Sequence, residues 1–199
     1  MKIELIKMLE GQLEANLDEE RFLHTRGVAY TAAALGMRWA KTEDINRILI
    51  AGYMHDCAKC MSTEQLLSYA ADDMIYLSEE HLKNPKLLHA IIGPSVALKD
   101  YGIWDPEIHK AIQTHTTGAP NMTVMQKIVY VADFIEPNRE NIVPHIENYR
   151  EMAFIDLDKA VYMIADRTLE YLTKQGAAID PATAATRDYY KKLIEDRDK

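Results

Sequence analysis

The segment TEDINRILIAGYMHDCAKC, residues 42–60, decides the fold class of this chain and contains two overlapping sets of metal-binding side chains. Its apolar residues recur at intervals of three or four from Ile45 through Leu49 to Tyr53, which is the spacing of one helix face. The next two side chains, His55 and Asp56, stand at the end of that predicted helix. The segment therefore predicts a helix whose C-terminal end places an imidazole and a carboxylate on its apolar face, toward the protein interior.

The second set in this segment is Cys57-x-x-Cys60, which has the spacing of a redox dithiol or of half a zinc site. With only two cysteines, the chain can complete neither a four-cysteine zinc site nor a disulfide framework. A redox role would need a thioredoxin-like βαβ context, in which a helix N-terminus lowers a thiol pKa. Because these cysteines follow a predicted helix instead, we interpret the pair as incidental and the His-Asp pair as the functional one.

The rest of the chain predicts an all-α protein, because helix start signals are frequent and alternating strand patterns are absent. Ser62-x-x-Gln65 and Thr123-x-x-Gln126 fit capping boxes. A capping side chain precedes a proline at Asn84-Pro85, Asp105-Pro106 and Asp180-Pro181. We predict one domain over residues 1–199 with about eight or nine helices, near 2–15, 18–39, 43–55, 62–72, 85–100, 106–115, 124–135, 156–175 and 181–196. The longest predicted irregular stretch is 135–150.

Composition and charge exclude several classes of function. Hydrophobic residues make up 48% of the chain and charged residues 27%, as in ordinary globular proteins. The formal charge of -8 provides no general basic surface for nucleic acid or an anionic membrane. No apolar run approaches the ~18 residues of a membrane span, and the first 17 residues are unlike a signal peptide. We therefore predict a cytoplasmic protein in which any attraction for a polyanion is supplied locally.

Two further polar side chains lie where an apolar environment is predicted. His24, in RFLHTRGVAYTAAALG at residues 21–36, shares a helix face with Leu35. Asp133 lies in VYVADFIEP at residues 129–137, surrounded by apolar neighbours. A buried carboxylate is costly unless it is paired or binds a metal. Both side chains are therefore candidates for a site in the protein interior.

The order His24, then His55-Asp56, then Asp133, each on a separate predicted helix, resembles the HD-domain metal-dependent phosphohydrolases. LLHAIIGPSVA at 87–97 and IQTHTTGAPNMTVMQKIVYVADFIEPNR at 112–139 resemble the signatures of one branch of that superfamily. This branch is the YqeK-like family of symmetrical diadenosine tetraphosphate hydrolases. The resemblance implies an HD-domain helical bundle with its motif core at about residues 20–140.

The resemblance also implies a centre of two divalent ions. One ion would have His24, His55, Asp56 and Asp133 as ligands, and the other would have His89, His115 and the bridging Asp56. Imidazole-rich ligand sets with two carboxylates suit iron, manganese, zinc or cobalt better than magnesium or calcium. The resemblance favours iron. Because four positive charges meet two aspartates, such a centre is positive and attracts polyphosphate.

The reaction that the resemblance implies is hydrolysis of diadenosine tetraphosphate and related dinucleoside polyphosphates to two ADP by metal-activated water. The predicted catalytic residues are Asp56 and Lys59, and the predicted substrate contacts are Lys59, Thr116, Thr117, Gly118 and Arg139. From the residues alone, the turn ending at Gly118 fits a helix C-cap equally well. Arg139 fits an ion pair with Glu136 equally well. The expected partner is the nucleotide substrate, with no nucleic acid and no membrane, and a homodimer is left open.

Two other classes of function remain open at this stage. A different HD phosphohydrolase, acting on a nucleoside monophosphate, a deoxynucleoside triphosphate or an alarmone, would use the same ions. A non-catalytic nucleotide- or metal-binding regulator would have the same ligands. The remaining histidines, His81, His109 and His145, lack the motif context, and we predict that they are surface residues.

Overall fold

The computed structural model describes residues 2–197 and 199, and this part of the chain is all-α, without a strand. Its α-helices are α1 (Lys2–Asn16), α2 (Glu19–Trp39), α3 (Ile45–Met54), α4 (Thr63–Asp72), α5 (Glu79–Lys83), α6 (Leu88–Tyr101), α7 (Pro106–Thr114), α8 (Val124–Ile135), α9 (Ile146–Ile155), α10 (Leu157–Lys174) and α11 (Pro181–Arg197). Short 3-10 turns lie at Thr42–Asp44, Pro85–Leu87 and Pro137–Arg139. All nine predicted helices are present, two of them beginning in a 3-10 turn.

The eleven α-helices of the described residues slightly exceed the predicted eight or nine, and the additions are α5 and α9. α5 is five residues long, too short to show a periodic pattern, and it is started by reciprocal hydrogen bonds between Ser78 and His81. α9 begins inside the stretch 135–150 that was predicted to be irregular, so that prediction is wrong from Ile146 onward. Its N-cap, His145, has a left-handed backbone and no capping bond from its side chain, which explains why no start signal was visible.

The predicted capping signals are mostly confirmed. Both capping boxes, at Ser62 and Thr123, have their two reciprocal hydrogen bonds. Asp105 and Asp180 each accept a backbone N–H at the start of their helices, whereas Asn84 makes no capping bond with its side chain. These caps determine where the helices that carry the site begin, and hence where their functional ends lie.

A close crossing of α2 and α3 organises the centre of the bundle. A Cβ atom built on Gly52 would lie 2.6 Å from Ala29 Cα, so the two backbones are in direct contact there. His24 lies little more than one turn before Ala29, and His55 lies three residues after Gly52. The crossing therefore brings these two histidines together. α8 packs against α2 and α3, and α7 packs against α3, α6 and α8.

The buried apolar residues form a continuous core that extends from Leu9 in α1 to Tyr190 in α11. The site described below lies inside this core, at the ends of the helices that build it. Among the residues that the structure describes, no helix combines the length and apolar character that crossing a bilayer requires.

Candidate metal centre

All six side chains predicted as metal ligands meet in one cluster. His24 lies in the second turn of α2, His55 and His115 stand directly after α3 and α7, Asp56 follows His55, His89 is the second residue of α6, and Asp133 lies in the last turn of α8. Five of the six are buried, and the Asp133 side chain is 21% exposed. Three overlapping triads could each hold a metal ion: His24, His55 and Asp56; His55, His115 and Asp133; and Asp56, His89 and His115.

Each histidine of the cluster is oriented by a hydrogen bond at Nδ1. The acceptors are Gly52 O for His55, Lys86 O for His89 and Ile112 O for His115, all at 2.7 Å, and Glu136 Oε1 for His24 at 3.0 Å. Each backbone acceptor lies three residues before its histidine, so the local helical turn itself sets the ring orientation. With the proton on Nδ1, the lone pair of each Nε2 points into the cluster, which is the arrangement of a metal-ligating histidine.

The Nε2 atoms face one another in two pairs. Those of His24 and His55 are 3.3 Å apart, and those of His89 and His115 are 3.2 Å apart. Two lone pairs at this distance repel each other unless a cation lies between them. Ligand nitrogens about 2.0–2.1 Å from a shared metal ion lie roughly 3–3.5 Å from each other. The observed spacing therefore fits a shared divalent ion at each pair.

Asp56 stands between the two histidine pairs. Its Oδ1 lies 3.2 Å from His89 Nε2 and 3.3 Å from His115 Nε2, while its Oδ2 lies 3.5 Å from His55 Nε2. Oδ1 is buried and has no hydrogen-bond donor among the described residues. An orphaned carboxylate oxygen in the interior is costly, and a metal ion would satisfy it. One carboxylate thus offers one oxygen to each side of the cluster.

The electrostatics of the cluster favour ionised carboxylates and, at His55 and His89, neutral imidazoles, which are the forms that bind metals. Burial opposes protonation of His24, yet its hydrogen bonds with Asp133 and Glu136 raise its pKa. Burial lowers the pKa of His55, and it lowers the pKa of His89 to about 4. Burial opposes ionisation of Asp56, yet His55, His115 and His89 hold the pKa of its carboxyl well below the usual range. Burial also opposes ionisation of Asp133, yet the hydrogen bond with His24 keeps the pKa of the Asp133 carboxyl below the usual range.

Two arginines partner the two carboxylates of the cluster. Arg21 Nη1 donates to Asp56 Oδ2 at 2.8 Å, and Arg139 Nη2 donates to Asp133 Oδ1 at 3.0 Å. The separation between Arg139 and Glu136 is longer, at 4.0 Å. Sequence reasoning missed Arg21, although its position three residues before His24 places it on the same helix face. It also missed that Glu136 orients His24.

The predicted substrate contacts fall into two groups. Lys59 Nζ lies 3.3 Å from His89 Nε2, and Thr116 Oγ1 lies 3.0 Å from His115 Nε2, so both border the cluster. These two residues and Thr117 line a cleft of about 450 Å³. Gly118 is buried with φ at +68°, and a Cβ there would lie 2.6 Å from the Thr186 side chain. Its position matches the alternative interpretation, a turn after α7 that packs on α11.

The two cysteines do not form a dithiol site. Both are free: Cys57 is buried with its thiol donating to Gly93 O, and Cys60 is exposed. Burial raises the pKa of the Cys57 thiol, so it stays protonated and inert. This geometry supports the incidental interpretation of the pair.

The three remaining histidines lie outside the metal-candidate triads of the described residues. His145 is exposed, as predicted. The other two are partly exposed and hydrogen-bonded: His109 Nε2 lies 2.8 Å from Ile103 O, and His81 caps α5.

The geometry defines a class of protein: an all-α bundle with interior histidine and aspartate ligands on several helices. A comparison with protein families agrees, since the HD domain matches residues 21–138. The chain therefore belongs to the HD-domain family.

Three relatives narrow the assignment, and each is named "Bis(5'-nucleosyl)-tetraphosphatase, symmetrical". The Bacillus subtilis protein is 34% identical over 89% of this chain and 92% of its own length. The Halalkalibacterium halodurans protein is 33% identical over 93% and 95%, and the Staphylococcus aureus protein is 31% identical over 96% and 95%. This chain is a member of the family to which these three proteins belong.

A solved structure shows the same architecture. The Clostridium acetobutylicum protein described as a predicted HD superfamily hydrolase involved in NAD metabolism is 35% identical, with a TM-score of 0.87. The match covers 94% of this chain and 97% of that one. The HD-domain fold predicted from the sequence is thereby confirmed.

Proposed function

We propose that this chain is a metal-dependent hydrolase that cleaves diadenosine tetraphosphate and related dinucleoside polyphosphates symmetrically, releasing two ADP. The observation that carries the proposal is Asp56, a buried carboxylate that offers one oxygen to each of two histidine pairs. The names of the three relatives supply the substrate class. The ligand set, rather than a basic surface, would supply the attraction for phosphate in a chain of formal charge -8.

Two divalent ions are the proposed cofactor, held by His24, His55, Asp56 and Asp133 on one side and by Asp56, His89 and His115 on the other. When bound, such ions activate water near neutral pH and stabilise charge on the phosphoryl oxygens. We propose iron, with manganese, cobalt and zinc as alternatives that suit the same ligands. The Nδ1 hydrogen bonds support this proposal, because they hold the histidines ready to bind without rearrangement.

The chain's own residues have proposed roles around the cleavage position. Asp56 would hold both ions, with one carboxylate oxygen toward each histidine pair. Lys59 would direct its ammonium group toward a phosphate oxygen as negative charge moves to the leaving group. Thr116 and Thr117 would donate hydroxyl protons to phosphate oxygens, whereas a direct role for Gly118 is the least supported of the predicted contacts. Arg139, half-exposed beside Asp133, would meet phosphate at the opposite side.

We propose that residues 1–199 form a single HD-type domain, which is supported by the continuous core from Leu9 to Tyr190. We also keep the sequence-based predictions of a cytoplasmic location and of no nucleic-acid or membrane partner. A homodimer is still left open.

A product assay with purified, metal-loaded protein tests the proposed function. The expected result is conversion of diadenosine tetraphosphate to ADP alone. Asymmetrical cleavage of the phosphate bridge would instead give AMP and ATP. The comparison substrates are a nucleoside monophosphate, a deoxynucleoside triphosphate and an alarmone. Faster hydrolysis of one of these would favour another HD phosphohydrolase, and metal-loaded protein without any turnover would favour a regulator.

A further inference from the structure

Two clefts open on either side of helix α10, and they share one residue, Thr168. The first cleft, of about 430 Å³, lies between α8, the segment around Ile142 and α10. The second, of about 450 Å³, lies between Lys59, the segment before α6 and the α10–α11 connection. Both volumes are within the range of small-molecule sites. α10 therefore forms a ridge that divides one surface into two compartments of similar size.

The two clefts meet opposite ends of the metal centre. The first cleft is lined by Asp133, the carboxylate that lies 3.1 Å from His24 Nε2. The second is lined by Lys59 and Thr116, which lie 3.3 Å from His89 Nε2 and 3.0 Å from His115 Nε2. A phosphate chain that crosses the centre from one end to the other would consequently have one terminus in each cleft.

The first cleft has the side chains that a purine nucleoside with a phosphate requires. Tyr171 is 54% exposed and Ile142 is 63% exposed, and both line this cleft, which offers apolar faces for a planar base. Phe134 contributes a third apolar wall, held by its ring contact with Tyr149. Aromatic side chains stack on nucleobases without depending on their hydrogen-bond pattern.

Positive charge accompanies those apolar walls. The guanidinium groups of Arg139 and Arg167 line the same cleft, with the Arg139 group beside Asp133. Planar guanidinium groups bind phosphate oxygens in pairs. The first cleft thus combines apolar surface suited to a base with two guanidinium groups suited to phosphate, and one of these groups lies beside the metal centre.

The second cleft is more basic and has a different lining. It is lined by three lysines, Lys59, Lys83 and Lys86, and by one carboxylate, Asp180, while Leu172 provides apolar surface from α10. Lys83 is the last residue of α5.

We propose that the two clefts are separate nucleotide subsites, each taking one nucleoside end of the same substrate molecule, with a purine base stacked on Tyr171 in the first cleft. The inference rests on the proposed function and deepens it. Cleavage then falls in the middle of the phosphate bridge because equal halves of the substrate occupy compartments on opposite sides of the metal centre. One mononucleotide molecule can fill only one of the two compartments, so two molecules are needed to fill both.

Calorimetric titration of the metal-loaded chain with ADP tests this arrangement, because each cleft should hold one product molecule. We expect two ADP per chain. Tyr171→Ala should weaken one of the two binding events by roughly 5- to 150-fold, the usual range for loss of base stacking, and Tyr171→Phe should retain it. Lys83→Glu combined with Lys86→Glu should weaken the other event. Tyr76→Ala, an 84% exposed tyrosine outside the two clefts as described, is the matched control and should bind as the wild type does.

Two results would overturn the two-subsite arrangement: a stoichiometry of one ADP per chain, or unchanged binding in Tyr171→Ala. The product assay keeps this failure distinct from failure of the proposed function. Wild-type protein that makes ADP from diadenosine tetraphosphate but binds a single ADP would contradict the two subsites alone. Protein that binds two ADP but forms none would contradict the proposed hydrolysis alone.

Discussion

At the scale of single residues, the metal centre depends on carboxylates that contact two different groups at once. Asp56 offers oxygens to two histidine pairs, and Glu136 accepts from His24 Nδ1 while also accepting from the Asn138 backbone. Burial opposes ionisation of Glu136, but its bonds with His24 and Asn138 keep its carboxyl pKa below the usual range. A small movement of either carboxylate therefore changes the positions of the histidines that it contacts.

Asp56→Ala should empty both sides of the centre, because it removes the shared carboxylate. We expect almost no bound metal and loss of hydrolysis, measured by elemental analysis and by ADP formation. The matched control is Asp72→Ala, which removes an exposed carboxylate at the end of α4. An Asp56→Ala protein that keeps two ions per chain would rule out the bridging role.

Gly27→Ala should weaken metal binding without unfolding the protein. The added Cβ would lie 2.4 Å from Glu136 Oε2, so the carboxylate that orients His24 must move. Disturbed support of a ligating histidine typically costs about 10- to 100-fold in metal affinity. The measurement is a competition titration with a chelator. Gly11→Ala is the control, since a Cβ at Gly11 meets nothing within 4 Å; equal affinities in the two variants would contradict the role of Glu136.

Lys59→Ala should reduce kcat/KM while leaving the metal content unchanged. Loss of a charge-assisted hydrogen bond costs about 1.5–3 kcal/mol, or roughly 10- to 150-fold in kcat/KM. The control is Lys110→Ala, an exposed lysine on α7. Equal kcat/KM in both variants would remove Lys59 from the site.

At the scale of helices, the centre is built by element ends and by one close crossing. Three of the four histidines are tied to a carbonyl three residues earlier, so each ring follows the direction of its own helical turn. The distance between histidines of different helices then depends on how closely the helices pack. The contact of Gly52 with Ala29 sets this distance for α2 and α3.

Gly52→Ala should therefore damage both stability and the centre. Its Cβ would meet the Ala29 backbone, which cannot move aside as a side chain can. Overpacking of this kind costs typically about 1–3 kcal/mol in the free energy of unfolding. We would measure it by urea denaturation together with metal content. Gly36→Ala is the comparison, because its Cβ would meet the flexible Ile48 side chain at 3.2 Å; a smaller penalty at Gly52 than at Gly36 would contradict the close crossing.

At the scale of the whole molecule, the ligands join segments that are far apart in the chain. His24 and Glu136 are separated by 112 positions, and α2, α3, α6, α7 and α8 each contribute to the cluster or directly precede a member. A metal that binds the folded chain and not the unfolded chain stabilises the fold by mass action. The ions should accordingly act as cross-links between five helices.

Removal of metal by a chelator should lower the Tm. At a free metal concentration of about 100 times Kd, bound metal adds about 2.7 kcal/mol. For a domain of this size that corresponds to a Tm change of roughly 5–10 °C. Differential scanning calorimetry of the metal-loaded and chelated protein measures the change. Asp56→Ala should show almost none of it, and an equal shift in that variant would place the stabilising ion elsewhere.

The sequence by itself determined the helical class, most helix starts and the candidacy of His24, His55, Asp56 and Asp133, because caps, periodicity and polar residues in apolar segments are local signals. The full set of six ligand candidates, with His89 and His115, came from the resemblance to the HD-domain phosphohydrolases. It did not reveal α5 and α9, since one is too short for a periodic pattern and the other has no capping side chain. Only the tertiary structure decided that Arg21 pairs with Asp56, that Glu136 orients His24 and that α10 divides two clefts. These relations join residues tens of positions apart, and their distances depend on helix packing, which leaves no trace in the spacing of any one segment.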